Sequence, residues 1–276
     1  MTLLDSQLTE TDPSGRLREW FNGGGGDPSE LVSIIGNLPT LALDVFTAVN
    51  DDHSRIDKGV DRLDQALILL GTTRLRNLLH QIRTDNPIRR FGDEDFVQNA
   101  RKVARAAALV ARAARVPLEA EAFAAGLFID IGTLLLKNRF PLRHAEAEAQ
   151  AHAHGNCTVE YERLLLGTDH ADESEQFLRQ SGFPTTLTDS VLFHHDPLNA
   201  PRPARFRALL LHLGDYVANP DRSPWTQSEA ANRLRARILS YLRLDTATLE
   251  ELTRVLGSES SYSGKTDDEK RGDLKS

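Results

Sequence analysis

Five residues have the side chains and the spacing to do chemistry together: Asp130, His170, His194, His195 and Asp215. Asp130 lies in GLFIDIG, Gly126 to Gly132, at the edge of an apolar stripe that Phe123, Leu127, Ile131 and Leu134 make at helical intervals. An ionised carboxylate on such a face is costly unless it is paired or ligating. His170 precedes Ser174, Phe177 and Leu178 by four, seven and eight residues, which puts it on the inner face of its own helix. His194 follows Leu187 and Val191 by seven and four, and Asp215 stands in the same relation to Ala208 and Leu211. His195 is turned about 100° from His194 on a continuous helix, so the pair is not expected to point at one small site. Imidazoles and carboxylates from separate helices are a standard way to hold a transition metal. The same groups can instead satisfy one another as a buried hydrogen-bond network, and spacing leaves both readings open.

The elements that must position these residues are helical almost everywhere. Val60, Leu63, Leu67 and Leu70 share a face up to Gly71, and a second helix from Thr72 or Thr73 carries Leu75, Leu78, Leu79 and Ile82. An alanine-rich helix over about Asp93–Arg115 has small inward residues that permit close approach, which predicts a central position. One helix is expected over Glu119–Lys137, then a histidine-rich segment to Gly155, with later helices starting near Asp169, Thr185, Pro203 and Thr226. Thr226 and Glu229 form a capping-box pair, and Gly257 closes the last helix. No stretch alternates as a strand, and neither GxGxxG nor a P-loop occurs, so the fold class is all-α.

The residues quoted above also carry a family resemblance. EAFAAGLFIDIGTLLL resembles the segment around the paired His-Asp of HD-superfamily proteins. PSELVSIIGNLPTLALDVFTAVN and VDRLDQALILLGTTRLRNLL are similar to the N-terminal half of the HDOD domain, an HD-related output domain of bacterial signalling proteins. TDHADESEQFLRQSGFPTTLTDSVLFHHDP and LLLHLGDYVA resemble its later segments. The resemblance covers roughly residues 29–218 and implies a two-lobed helical fold with one HD-like lobe. Two departures bear on activity: Ile129 occupies the doublet's histidine position, and Asn99 falls where the first metal-binding histidine belongs. The N-terminal lobe departs as well, keeping Pro39 and Asn50 but not their usual neighbours.

The resemblance therefore implies a non-catalytic regulatory module that binds a protein partner, with a nucleotide signal in the vestigial pocket as a further role. It implies no cofactor and no metal; any ion would take Asp130, His170, His194, His195 and Asp215. The alternative is a divergent metal-dependent phosphohydrolase using those same residues. Arg101, Arg105 and Arg112, with Lys102 and Arg115, line one side of the alanine-rich helix as a candidate phosphate- or partner-binding surface, against the plainer reading of a solvated face. Arg83, Arg89 and Arg90 surround Asn86-Pro87 in an interlobe connection. HAEAEAQAHAH reads as an exposed helix without a chemical role, and Cys157 as an unactivated thiol.

Composition agrees with that class. The 276 residues are 40% hydrophobic and 26% charged, ordinary for a globular chain with a sizeable core. A net charge of −7 argues against a general nucleic-acid or anionic-membrane binder. One cysteine excludes an intramolecular disulfide or a multi-cysteine zinc site. The N-terminus lacks a signal-peptide pattern and no apolar run approaches membrane-span length, so a cytoplasmic location is expected. The expected organisation is a flexible N-terminal segment 1–28 with a glycine-rich linker, an N-terminal lobe 29–92, an HD-like lobe 93–257 and a disordered tail 258–276.

Overall fold

The computed structural model describes residues 13–51, 59–80, 86–92, 94–220 and 228–262. Among these there are helices and no strands, as the sequence predicts. In chain order they are α1 (Pro13–Asn22), α2 (Pro28–Gly36), α3 (Pro39–Asn50), α4 (Leu63–His80), α5 (Pro87–Phe91), α6 (Glu94–Ala113), α7 (Glu119–Gly126), α8 (Ile131–Arg139), α9 (Pro141–His154), α10 (Thr158–Leu166), α11 (His170–Gln180), α12 (Thr185–Leu192), α13 (Arg202–Ala218), α14 (Glu229–Leu242) and α15 (Thr246–Tyr262), with a 3-10 turn at Pro197–Asn199.

Local chemistry sets most of the boundaries. Asp27 caps α2 by accepting from the Ser29 amide at 2.9 Å, with Pro28 in the first turn. Asn86 caps α5 through the amides of Ile88 and Arg89. Gly155 and Gly167, both at positive φ, end α9 and α10. Ser228, rather than a Thr226–Glu229 box, caps α14 by accepting from Ala231; Thr226 lies outside the described residues, as do Ile82 and Arg83. Gly71 adopts φ 72° and breaks α4 into two segments where the sequence places a stop.

Two expectations need correction, and a third element sharpens one. Glu119–Lys137 is not one helix: α7 ends at Gly126, and a turn over 127–130 leads into α8. The last helix does not close at Gly257 but runs on to Tyr262, so residues 258–262 are helical rather than the start of a tail. Ahead of the glycine-rich linker, where Leu17, Trp20 and Phe21 allow a short docking helix, α1 forms and buries Leu17, and Gly23 to Gly26 make the turn that follows it.

The alanine-rich α6 is central. Its inner face packs against α7 and α13, and two glycines mark the closest approaches. A Cβ on Gly126 would lie 2.6 Å from Ala104 Cα, and one on Gly214 would lie 2.7 Å from Ala107 Cα. Phe128, in the turn after α7, packs edge-on against Phe46 of α3 and Phe183, with centroids 5.9 and 5.5 Å away. One continuous apolar cluster thus runs from Leu17 to Leu256. Polar locks supplement it: Asn50 exchanges both hydrogen bonds with the Val60 backbone, Asp44 accepts from Asn86 and Arg89, and Arg207 pairs with Asp61 at 2.8 Å. No single described helix is long and apolar enough to cross a membrane. α2 and α3 together have the length and composition, but they are bent 116° apart and their apolar residues lie in the core.

Candidate functional site

The turn between α7 and α8 delivers Asp130. Gly132 lies against α11 so tightly that a Cβ there would stand 2.1 Å from the His170 carbonyl oxygen. The Gly132 amide donates to Ser174 Oγ at 2.8 Å, and that hydroxyl lies 2.6 Å from the His170 carbonyl and 3.2 Å from that of Ile129. The first turns of α8 and α11 therefore pack with their backbones in close approach and are joined through the Ser174 hydroxyl. That junction brings Asp130 Oδ1 to 3.8 Å from His170 Nε2. Ile129 turns away into the apolar cluster with 1% exposure.

His170 opens α11, behind Asp169, which caps the helix through the Asp172 amide at 2.9 Å. Its strongest partner was not anticipated. Glu162 of α10 is 1% exposed, and its Oε2 accepts from both the His170 backbone amide (3.0 Å) and ring Nδ1 (2.7 Å). Its Oε1 lies 3.2 Å from Nε2 of His144 on α9, whose Nδ1 is 3.6 Å from Glu148. Burial penalises each of these charges, yet the pairing outweighs it. His144 rises to about 9 through Glu148 and Glu162, His170 is also raised, and the Glu162 carboxyl is held far below the usual range by the two imidazoles. The result is a buried carboxylate set between two imidazoles, in which each group favours the charged form of its neighbour. HAEAEAQAHAH is thus not an exposed helix without a role: His144, Ala147 and Ala151 form its buried face. That spacing of three and four was legible, and so was the spacing of three between buried Val159 and Glu162.

α12 ends at Leu192, so His194 and His195 sit in a turn rather than on a helix, and both can face His170. This overturns the expectation that they diverge. His195 Nε2 is 2.8 Å from His170 Nε2, and its Nδ1 is 3.7 Å from Cys157 Sγ. Because Glu162 can only accept, His170 Nδ1 carries a proton. With His170 charged, Nε2–H donates to His195, whose Nδ1–H then faces the sulfur. Burial pushes the Cys157 thiol up to about 12, so it stays protonated. His194 is held neutral by burial and the His170 charge; its Nδ1 lies 2.6 Å from the Val191 carbonyl. Burial likewise drives His212 down to about 4, with Nδ1 2.8 Å from the His194 carbonyl.

Asp215 joins the set indirectly. Asn99 Nδ2 donates to Asp130 Oδ2 at 3.2 Å, and Asn219 Nδ2 reaches both Asn99 Oδ1 (2.8 Å) and Asp215 Oδ1 (3.1 Å). Two amides thus bridge two carboxylates across α6 and the end of α13. Among the described residues, the group whose ligand atoms converge within 4.8 Å of one another is His170, His194 and His195, without either aspartate. Of the two positions where the family resemblance expects a histidine, Ile129 offers no lone pair, and Asn99 turns its amide N–H toward Asp130.

A cavity of about 250 Å³ opens beside this centre, lined by the histidines together with Cys157, Glu162, Asp215, Tyr216 and Arg235. The arginine face of α6 is largely engaged inside the molecule. Arg101 Nε donates to the Asn37 carbonyl at 2.7 Å and Arg112 Nε to Glu119 at 3.2 Å, while Arg105 is half-buried. Arg89, in the interlobe connection, is paired with Asp44.

Comparison with the curated proteins gives no match. Among solved structures, the MmoQ response regulator from Methylococcus capsulatus is 22% identical, with a TM-score of 0.63 over 91% of this chain and 99% of that one. A virulence factor from Campylobacter jejuni is 18% identical, with a TM-score of 0.66 over 91% and 93%. An HDOD domain protein of unknown function from Geobacter sulfurreducens is 16% identical, with a TM-score of 0.52 over 95% and 93%. At these identities the likeness is one of fold. The family match itself spans residues 16–197, beginning inside α1, ahead of the resemblance read from the sequence, and ending before α13. With most of its length matched and the same helical architecture throughout, this chain belongs to the HDOD domain family.

Proposed function

We propose that this chain is a non-catalytic regulatory module of bacterial cytoplasmic signalling, which presents the helical surfaces of lobes 29–92 and 93–257 to a protein partner and reads a small-molecule signal in the cavity at its polar centre. The observation that carries this reading is the Asn99–Asn219 amide bridge. It engages Asp130 and Asp215, the two carboxylates that a catalytic relative would turn on a cation, and it does so with N–H donors. Ile129, packed in the core, removes the doublet's imidazole. What remains is a network in which each buried charge has a structural use: Asp130 beside His170, His170 on Glu162, Glu162 on His144. The names of structural neighbours, a response regulator and a signal transduction protein from Marinobacter aquaeolei, are in keeping with a signalling role.

The rival reading, a divergent metal-dependent phosphohydrolase, draws on the convergence of His170, His194 and His195. One experiment separates the two. Tag-free protein purified without chelators is analysed by elemental mass spectrometry and assayed on p-nitrophenyl phosphate and its diester with added manganese, zinc or nickel. The module reading expects substoichiometric metal and no turnover above that of the free ion. Near-stoichiometric metal with hydrolysis that Asp130→Ala abolishes would overturn it.

A further inference from the structure

Arg235 of α14 is a buried charge with no counter-charge among the described residues. It is 8% exposed, its guanidinium carbon lies 3.9 Å over the Tyr216 ring, and one amine donates to Asn232 on its own helix. Among the described residues no carboxylate lies within ion-pair distance of it. Burial lowers its pKa, the direction expected of a guanidinium that has lost water and gained no anion. A buried charge of this kind is destabilising unless something neutralises it, so the absence of a carboxylate beside it calls for an explanation.

The surroundings supply one. Arg235 lines the same 250 Å³ cavity as the histidine centre, and each carboxylate on that cavity already has a partner. Glu162 is held between His144 and His170, Glu148 by His144 and Lys137, and Asp215 by Asn219. The guanidinium is the charge left over. Its stacking on Tyr216 fixes the plane of the fork, the arrangement that favours two parallel hydrogen bonds to a planar or tetrahedral oxyanion. Neutral His212 and Thr158 line the same space and add hydrogen-bonding groups without adding charge.

We propose that this cavity binds the phosphoryl or carboxylate group of a small metabolite, with Arg235 as its counter-charge and Tyr216 as the platform that holds the guanidinium in plane. The inference rests on reading the cavity as a signal site. Size narrows the ligand further. Pockets for drug-sized molecules run from about 300 to 1,000 Å³, and 250 Å³ falls below that range. A dinucleotide is too large, whereas inorganic phosphate or a short carboxylic or phosphorylated metabolite fits.

The test is isothermal titration of the full chain with sodium phosphate and, separately, sodium succinate. Both are run in excess EDTA, so that no metal contributes to phosphate binding. Saturable binding of at least one probe is expected. Arg235→Gln should weaken it at least tenfold and Arg235→Lys severalfold less, while Arg254→Gln, exposed on α15, should leave it unchanged. Phosphate alone would identify a phosphoryl ligand, succinate alone a carboxylate, and both a general oxyanion site. No saturable binding of either probe at about ten times a millimolar Kd, or equal binding by wild type and Arg235→Gln, would overturn the proposal. Should Arg235→Gln fail to fold, the wild-type titration and the Arg235→Lys ratio decide, equal affinities counting against it. Anion binding in EDTA by a protein that also proves to be a metal-dependent hydrolase would sink the module reading and leave this site standing. The reverse pattern would sink only this site.

Discussion

Replacing Glu162 by glutamine tests the buried trio most directly. The substitution keeps the shape and one carbonyl acceptor but removes the negative charge that sustains two buried imidazolium groups. Breaking a buried pair by removing one partner costs about 3–5 kcal/mol. The structure gives an independent scale: a His144 pKa raised from 6.5 to about 9 corresponds to about 3 kcal/mol, shared between Glu148 and Glu162. At roughly 2–4 °C per kcal/mol for a chain of this size, the variant should melt on the order of 10 °C lower near neutral pH. The dependence on pH is more discriminating. His144 has a folded pKa above its unfolded one, so its contribution is complete below about 6.5 and is lost as pH rises through about 9. Glu162 has a depressed pKa, so its contribution is present above about 4.5 and is lost on acidification. The gap between wild type and Glu162→Gln should therefore be widest between about pH 5 and 6.5 and should narrow as pH rises from about 6.5 to about 9. Urea denaturation followed by circular dichroism across that range measures it. A gap below about 1 kcal/mol, or one that stays constant with pH, would refute the trio.

Three further outcomes are expected. Gly132→Ala forces a Cβ against the His170 carbonyl and the Ser174 amide, both of them backbone, and should cost about 3 kcal/mol in chemical denaturation; a change under about 0.5 kcal/mol would mean that the junction has room. Asp61→Ala strands the buried Arg207, whose Nε and Nη1 already lack hydrogen-bond partners, whereas Arg207→Met removes the charge outright. The first should therefore destabilise more than the second, and the opposite order in the same assay would contradict this account. His212 takes up its proton near 6.5 when unfolded but only at about 4 when folded, so acidification over that interval favours the unfolded chain. His212→Asn should flatten this limb of the stability–pH profile, and an unchanged slope would place the acid sensitivity elsewhere.

What could be read from the sequence follows from what periodicity encodes. The all-α architecture, the central α6 and the inward placement of His170 and His194 all rest on apolar spacing, and burial in the structure obeys the same spacing. Asp130 was assigned to the edge of a helix because GLFIDIG keeps helical intervals on both sides. The interval survives, but the backbone breaks at the turn over 127–130, where Gly126 and Gly132 each meet a neighbouring backbone. Such contacts leave no mark on one helix's own pattern. For Glu162 and His144, spacing marks the buried face of each helix but does not say what that face meets. Only the packing of α9 on α10 makes a pair of them. The same holds for Asn99. Its type and its departure from the family pattern are plain in the sequence, but its hydrogen bonds to Asp130 and Asn219 depend on residues far along the chain.

The junction at Gly132 also has a mechanical meaning. A joint with no room for one extra carbon has no backlash, so α8 and α11 must travel together whenever either is displaced. α11 begins at His170, in the wall of the cavity, and α8 rests on α5, whose cap Asn86 and neighbouring Arg89 hold Asp44 of α3. These elements form a linkage that runs from the polar centre to the opposite lobe through stiff parts and tight bearings. A ligand that displaces the start of α11 would thus carry the start of α8 with it, toward α5 and the side chains that hold Asp44 of α3.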